Sequence, residues 1–405
     1  MIALIPALFL IGCNGDDDVT WHDDIAPIMA EHCVQCHSAG QIGPFPLDSY
    51  EAAAPLSTLI SDAVASRTMP PFGVDATGSC NDFDGARLLT DAEIDLVVAW
   101  AASESKEGRV AEAPVPASPI HLARQDRSLD MGIDYTPAIA PDDYRCFIVD
   151  PGIERDVFVT GYEVEPGEPK SVHHVILYTL DTPEAEAQAI AFDGQDETAG
   201  YTCFGSSLVD PLQSRPIAAW APGTSATVFP EQTGVRINAG RKMVMQLHYW
   251  SPDTDNLLPD RTRVHLQVEE TIPKEAFVYL IADLSMELQA GVADLGHTFE
   301  QPLSGLGLPL GVYVRGVFPH MHRRGRSMHA EILREPQEAC LVDVPAWDFN
   351  WQQMYFFDQP LYLNPTDTLK ISCRYDTSED TTPVVWGDGT EDEMCLLGVY
   401  VTVAR

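Results

Sequence analysis

Positive charge is scarce in this 405-residue chain. Lysine and arginine together number 24 against 61 aspartates and glutamates, a formal net charge of -37. A chain this acidic repels phosphate backbones, so nucleic acid is excluded as a partner, and the plain meaning of the charge is a soluble, solvated surface. Long apolar runs are lacking too: residues 2–12 form a run of eleven, too short to span a bilayer. Helical patterns thin out beyond about residue 120. No second Cys/His cluster stands near Cys33-Val34-Gln35-Cys36-His37, which counts against zinc, since zinc needs four donors. The apolar share of 45% is ordinary, and the length suggests two to four compact units.

What is present begins at the first residues. The apolar run resembles an export signal, and Leu10-Ile11-Gly12-Cys13 resembles the bacterial lipobox that is cut before a lipid-modified cysteine. Only the basic residues that usually open such a leader are missing. On this reading Cys13 carries lipid, Asp16-Asp17-Asp18 is a solvated tether, and the chain is exported and anchored to a bacterial membrane, in the periplasm or at the cell surface. Of nine cysteines, Cys13 goes to lipid and Cys33 and Cys36 to the motif at 33–37, which leaves Cys80, Cys146, Cys203, Cys340, Cys373 and Cys395. Six is an even number, as expected in an oxidising compartment.

Cys33, Cys36 and His37 form a c-type haem attachment motif, in which two sulfurs add to the haem and the next histidine ligates iron. One helical turn presents all three to the same porphyrin face. Met69, in Thr68-Met69-Pro70-Pro71, is the candidate sixth ligand, and a thioether there raises the potential; His22 and His32 compete for the position. Ile25, Ile28, Met29, His32 and Cys36 recur at helical spacing. Thr90-Asp91-Ala92-Glu93 is a capping box ahead of Ile94, Val97, Val98 and Ala101, with Gly108 as a stop. The order of short helix, haem motif, loop and last helix resembles a small class I cytochrome c. A small all-α domain is therefore expected over residues 19–110, after a leader and tether at 1–18. A Pro/Ala-rich linker follows at 111–119.

Beyond the linker the period changes to two. Strands are predicted at 157–164, 172–180, 243–250, 264–270, 312–318, 328–333 and 368–375. This is the signature of all-β sandwiches, and about 290 residues exceed one small sandwich. Two successive jelly-roll-like sandwiches are expected, at 120–272 and 273–405.

Six soft or borderline donors stand on these strands and near the end: His173, His174, His248, His320, His322 and Met394. They suffice for two three-ligand metal sites. His320 and His322 are two apart, so both leave one face of a strand, a face that Phe318, Gly316 and Val314 would share. His248 shares a face with Gln246. His173 and His174 point to opposite faces of a regular strand and serve one ion only if the backbone bulges there. His265, alternating with Val264 and Leu266, is expected at the solvent. His329, His121 and His297 get the same reading.

These residues closely resemble the copper type II, ascorbate-dependent monooxygenases, the group of the peptide-amidating and dopamine β-monooxygenases. The resemblance covers about residues 120–405, on His173-His174, Gln246-Leu247-His248-Tyr249, His320-Met321-His322 and Asp392-Glu393-Met394-Cys395. It implies one electron-transfer copper on His173, His174 and His248, and a catalytic, oxygen-binding copper on His320, His322 and Met394. Tyr144-Arg145-Cys146 matches a family Tyr-x-Cys, and the 22 residues between Cys373 and Cys395 match the family's disulfide spacing. The resemblance thus favours Cys146–Cys203 and Cys373–Cys395. Cys80 and Cys340 are left over, and a bridge from the haem domain to the second sandwich is one pairing open to them.

The donor chemistry agrees. A thioether adds little for zinc and favours Cu(I), and two histidines with a methionine leave a position where O2 can bind. The peptide-amidating members carry an arginine where this chain has Phe318 and a tyrosine where it has Gly398. An apolar or aromatic substrate is therefore favoured over a peptide. The expected function is hydroxylation of a C–H bond of a small organic molecule with O2. Two copper ions and one covalent haem serve as cofactors, with electrons from ascorbate or a respiratory donor through the haem domain. The alternatives are a non-catalytic periplasmic electron or copper carrier and a hydrolytic zinc protein.

Overall fold

The computed structural model describes residues 18–404, apart from 40–42, 76, 85–87, 111–113, 115–120, 223, 252–254, 256, 307–310, 350 and 388. The lipobox and Cys13 lie outside the described residues. The chain divides into two compact units. One comprises Met1–Pro70 and Arg87–Ser118, the other Pro71–Ala86 and Pro119–Arg405.

The first unit is helical. Its longer helices are Ala26–His32, Ser57–Ala65 and Asp91–Ala102. Trp21, Ile25, Met29, Val97 and Trp100 make its buried centre. The predicted capping box is present: Glu93 N–H donates to Thr90 Oγ1 (3.2 Å) and Thr90 N–H to Glu93 Oε2 (2.7 Å).

The helical reading of 19–110 needs one correction, because Pro71–Ala86 belongs to the β unit. Phe72, Val74 and Phe83 pack into the core of the second sandwich. Gly73 N–H donates to the Tyr355 hydroxyl (3.1 Å), and Asn81 Nδ2 donates to the carbonyls of Cys340 and Leu341 (3.0 and 2.9 Å). Cys80 is disulfide-bonded to Cys340, so the segment is also stapled there.

The second unit is built on a nine-stranded sheet. Half of it faces a five-stranded sheet across one core, centred on Val159, Leu177, Val235, Met245 and Leu247. The other half faces a four-stranded sheet across a second core, centred on Val314, Val317, Ala330, Ile371 and Leu397. Thr233–Ile237 and Lys274–Ala282 pair in parallel and join the halves. The expected division at 272/273 thus falls between strands of one continuous sheet, and the two sandwiches form a single unit.

Two residue-level expectations also change. The strand Val312–His320 carries a bulge between Val314 and Gly316. An extra residue inverts the phase of everything after it. Val312, Val314 and Val317 face the core, while Phe318 and His320 lie on the opposite face, so Val314 and His320 do not share one. His265 is buried rather than at the solvent, with 8% exposure. The strand Arg127–Asp130 covers it, Ser128 standing opposite, and Glu165 pairs with its Nε2 (3.2 Å).

Candidate metal centres

Three adjacent strands of the five-stranded sheet build the first centre. Met243–Trp250 lies between Asp142–Val149 and Val172–Thr179, and the register sets Tyr144, His248 and His174 in a row. Met243, Met245, Leu247 and Tyr249 point into the core, which leaves His248 and Gln246 on the other face. Gln246 is structural there, its Nε2 donating to the carbonyls of Cys203 and Ser206 (2.9 and 3.2 Å). The ladder slips between Val172 and His174. That slip is the bulge needed to bring His173 beside His174.

The three imidazoles converge. His248 Nδ1 lies 3.2 Å from His173 Nδ1 and 3.3 Å from His174 Nδ1, and the three donor atoms fall within 4.8 Å of one another. His248 gives its Nε2 proton to Asp142 Oδ1 (2.8 Å), so its Nδ1 presents a lone pair to its neighbours. Tyr144 stacks flat on His248 at 4.1 Å and 5°, fixing the ring plane. Burial is the main cause holding all three rings neutral. His173 falls to about 3, His174 lies well below the ordinary histidine value, and His248 is lowered despite Asp142. Neutral nitrogens turned toward one another call for a cation. With metal–nitrogen bonds of about 2.0–2.1 Å, the two N···N spans correspond to angles of about 100–110°, close to tetrahedral. The donor set fits a copper ion.

The second centre stands at the end of the Val312–His320 strand and on the loops beside it. Met321 plugs into the core while His320 and His322 flank it. Their rings are 5.1 Å apart and nearly perpendicular, at 86°. His320 Nδ1–H donates to Gln352 Oε1 (2.5 Å), and His322 Nδ1–H to the Asp392 carbonyl (3.2 Å). Both Nε2 atoms are thereby left as metal donors. Burial lowers His320 to about 4 and His322 to about 3.

Met394 is buried on the neighbouring loop, held by the carboxylate before it. Glu393 accepts from the backbone N–H groups of His322 (2.5 Å), Arg324 (3.0 Å) and Met394 (2.9 Å). It thus staples the methionine loop to the histidine turn. Burial pushes Glu393 up to about 7 against the pull of those donors. The Cys373–Cys395 disulfide anchors the next residue, and Cys146–Cys203 closes the loop behind Tyr144. Two imidazoles and a thioether, all neutral, suit Cu(I).

Phe349 stands between the centres. Its ring stacks on His173 (5.1 Å, 24°) and meets His322 edge-on (6.2 Å, 82°). No sequence pattern singled out Phe349, Gln352 or Asp142, because their partners lie far away in the chain. Glu393 was visible inside its four-residue motif, although its role was not.

In the helical unit, His37 Nδ1–H donates to the Phe45 carbonyl (3.0 Å), which leaves Nε2 as the ligand atom. His37 N–H returns to the Cys33 carbonyl (2.9 Å), closing the turn that holds both thiols, and neither Cys33 nor Cys36 is in a disulfide. The turn suits a c-type haem. Met69 follows the Ser57–Ala65 helix with 42% exposure, outside the apolar core of the unit. His32 pairs with Glu93 (3.3 Å) and His22 with Glu107 (3.6 Å).

Two family models match the β unit. Residues 135–256 match the N-terminal domain of the copper type II ascorbate-dependent monooxygenases, and residues 305–402 match the C-terminal domain. Similar proteins include the human DBH-like monooxygenase protein 1, 25% identical over 58% of this chain and 39% of that one. Dopamine beta-hydroxylase of Canis lupus familiaris is 25% identical, over 55% and 39%. Tyramine beta-hydroxylase of Caenorhabditis briggsae is 22% identical, over 58% and 40%. The chain spans about two fifths of the length of these curated relatives. With both domain models matched in order, one around each histidine cluster, the chain belongs to the copper type II ascorbate-dependent monooxygenase family.

Proposed function

We propose that the chain hydroxylates a C–H bond of a small apolar or aromatic molecule with O2, taking its electrons through a c-type haem on the helical unit. The observation that carries this reading is the convergence of the three Nδ1 atoms of His173, His174 and His248, beside a second pair whose Nδ1 protons are already committed. Copper supplies one-electron chemistry at both centres, and at His320, His322 and Met394 a thioether-stabilised Cu(I) state that can meet O2. The protein's part is to fix ring orientation and protonation. Asp142 keeps the His248 proton on Nε2, and Gln352 and the Asp392 carbonyl keep the other two on Nδ1. Phe349 fills space between the centres, packed on His173 and His322.

An apolar substrate is supported by a shelf beside His320. Phe318 lies nearly parallel to His320 (6.0 Å, 12°). Gly398 stands directly across from Phe318 on the next strand, and Leu280 across from Gly398 on the one after. A Cβ on Gly398 would sit 3.0 Å from Phe318 Cβ, so the missing side chain is what lets Phe318 lie there. This row offers apolar contact without a fixed charge, which suits an aromatic or aliphatic group better than a carboxylate.

Cys33 and Cys36 would hold the haem covalently and His37 would ligate its iron, with Met69 the candidate for the remaining position; the carboxylate partners of His22 and His32 favour Met69 over them. Haem supplies single electrons, from ascorbate or a respiratory donor. Export, with lipid on Cys13, is part of the same proposal. Three disulfides support an oxidising compartment, and no helix among the described residues is long and apolar enough to cross a membrane.

The test is oxygen uptake by the reduced, copper-loaded chain with apolar and aromatic candidates. Two equivalents of copper and substrate-dependent uptake are expected. Two bound coppers without substrate-dependent uptake would indicate a carrier. Replacing Cys33 and Cys36 should abolish turnover driven through haem and spare turnover with a small artificial reductant.

A further inference from the structure

One carboxylate oxygen links the first centre to the turn beside the second. Asp142 Oδ1 accepts the Nε2 proton of His248 (2.8 Å) and the hydroxyl proton of Thr390 (2.6 Å). Thr390 is buried and sits on a tight turn over residues 389–392, closed by Asp392 N–H to the Gly389 carbonyl (2.8 Å). Two residues after Thr390, the Asp392 carbonyl accepts the Nδ1 proton of His322 (3.2 Å). Two residues further on is Met394. The same turn lies against the first sandwich at a second point: a Cβ on Gly389 would sit 3.5 Å from Phe204 Cζ, and Phe204 packs edge-on against Tyr144 (4.9 Å).

From this we infer that Asp142 and Thr390 form a clasp that fixes the spacing and mutual orientation of the two metal centres. Both are positioning residues, since neither offers an atom to a metal. The outward nitrogen of His322 ends on this short turn and that of His248 reaches it through Asp142, so movement of one centre is passed to the other through three hydrogen bonds. Phe349, wedged between His173 and His322, resists closer approach from within. The clasp resists separation. The inference rests on the proposed function only in taking both clusters as copper sites.

The experiment is electron paramagnetic resonance of the full chain loaded with Cu(II), in wild type, Thr390→Val and Thr390→Ser, with copper content measured alongside. Wild type should hold two coppers with dipolar broadening between them. Thr390→Val keeps the shape and removes the hydroxyl; it should retain both coppers and the first-centre hyperfine pattern while losing the dipolar broadening. Thr390→Ser should restore it. Unchanged broadening in Thr390→Val overturns the clasp. Should wild type fail to take two coppers, the proposed function fails instead; there, or where two bound coppers show no broadening, the clasp is read from amide exchange of residues 389–395 in the metal-free chain. Faster exchange in Thr390→Val then supports it, and identical exchange overturns it.

Discussion

The two candidate metal centres are built in opposite ways. The first lies within a hydrogen-bonded ladder: Tyr144, His248 and His174 are neighbours by register, and a single bulge adds His173. The second begins where a strand ends. His320 is the last residue of its strand, and His322 and Met394 are on loops joined by Glu393, a disulfide, and Trp347 Nε1–H donating to the His322 carbonyl (3.0 Å). A centre inside a ladder is placed by backbone pairing and inherits the rigidity of the sheet. A centre on loops must be pinned by side chains, each of which can be removed without touching a ligand. Removing a non-ligand pin should therefore unmake the second centre, whereas at the first it should only weaken binding.

The largest effect is expected from Glu393→Ala. It leaves three buried N–H groups without an acceptor, a loss on the order of 3–5 kcal/mol. Copper titration should show the second centre lost and the first retained, and Glu393→Gln, which keeps an acceptor oxygen, should fall between. Next comes removal of the Cys373–Cys395 bridge by paired serines. Denaturant unfolding should report a loss of about 2–4 kcal/mol, with weaker binding at the second centre alone. Equal loss at both centres in either experiment would break the comparison.

Asp142→Asn probes the first centre. The amide cannot hold the His248 tautomer as the carboxylate does, and affinity at that centre should fall about 10–100-fold, read by competition with a chelator, while the sheet stays folded. The smallest effect concerns acid. The Arg145 guanidinium, helped by Thr198 and Thr202, holds the Asp196 carboxyl well below the usual range. A depressed carboxylate contributes stability that is fully present above its unfolded value near 4 and is lost as pH falls through the folded value. Wild type and Asp196→Asn should thus differ in stability at neutral pH, and the gap should begin to close only as the pH falls below about 4. A gap that is independent of pH would contradict the ion pair.

The candidate ligands stood out through the family resemblance of their motifs, and the need for a bulge at His173 followed from alternation alone. The strand Met243–Trp250 was also legible at its bounds. Asp142–Val149 and Leu396–Val403 were not, since both are buried on both faces and show no alternation. The helix Pro183–Asp193 buries only two alanines and so lacks an apolar stripe, although Thr182 caps it in the usual way, accepting from Ala185 N–H. The bulge at Arg315 has no mark in the sequence, and it put Phe318 and His320 on the face opposite to Val314. Asp142, Phe349 and Gln352 act through partners that only the fold brings near.

On the proposed function, the second centre does chemistry on a substrate while the first only passes electrons. Met394→His tests it most directly. Imidazole replaces the thioether at the same position, so copper should remain bound at two equivalents, while the preference for Cu(I) is lost. Product formation, measured with a substrate that wild type hydroxylates, should vanish in this variant. Hydroxylation at the wild-type rate by the two-copper Met394→His protein would contradict the account.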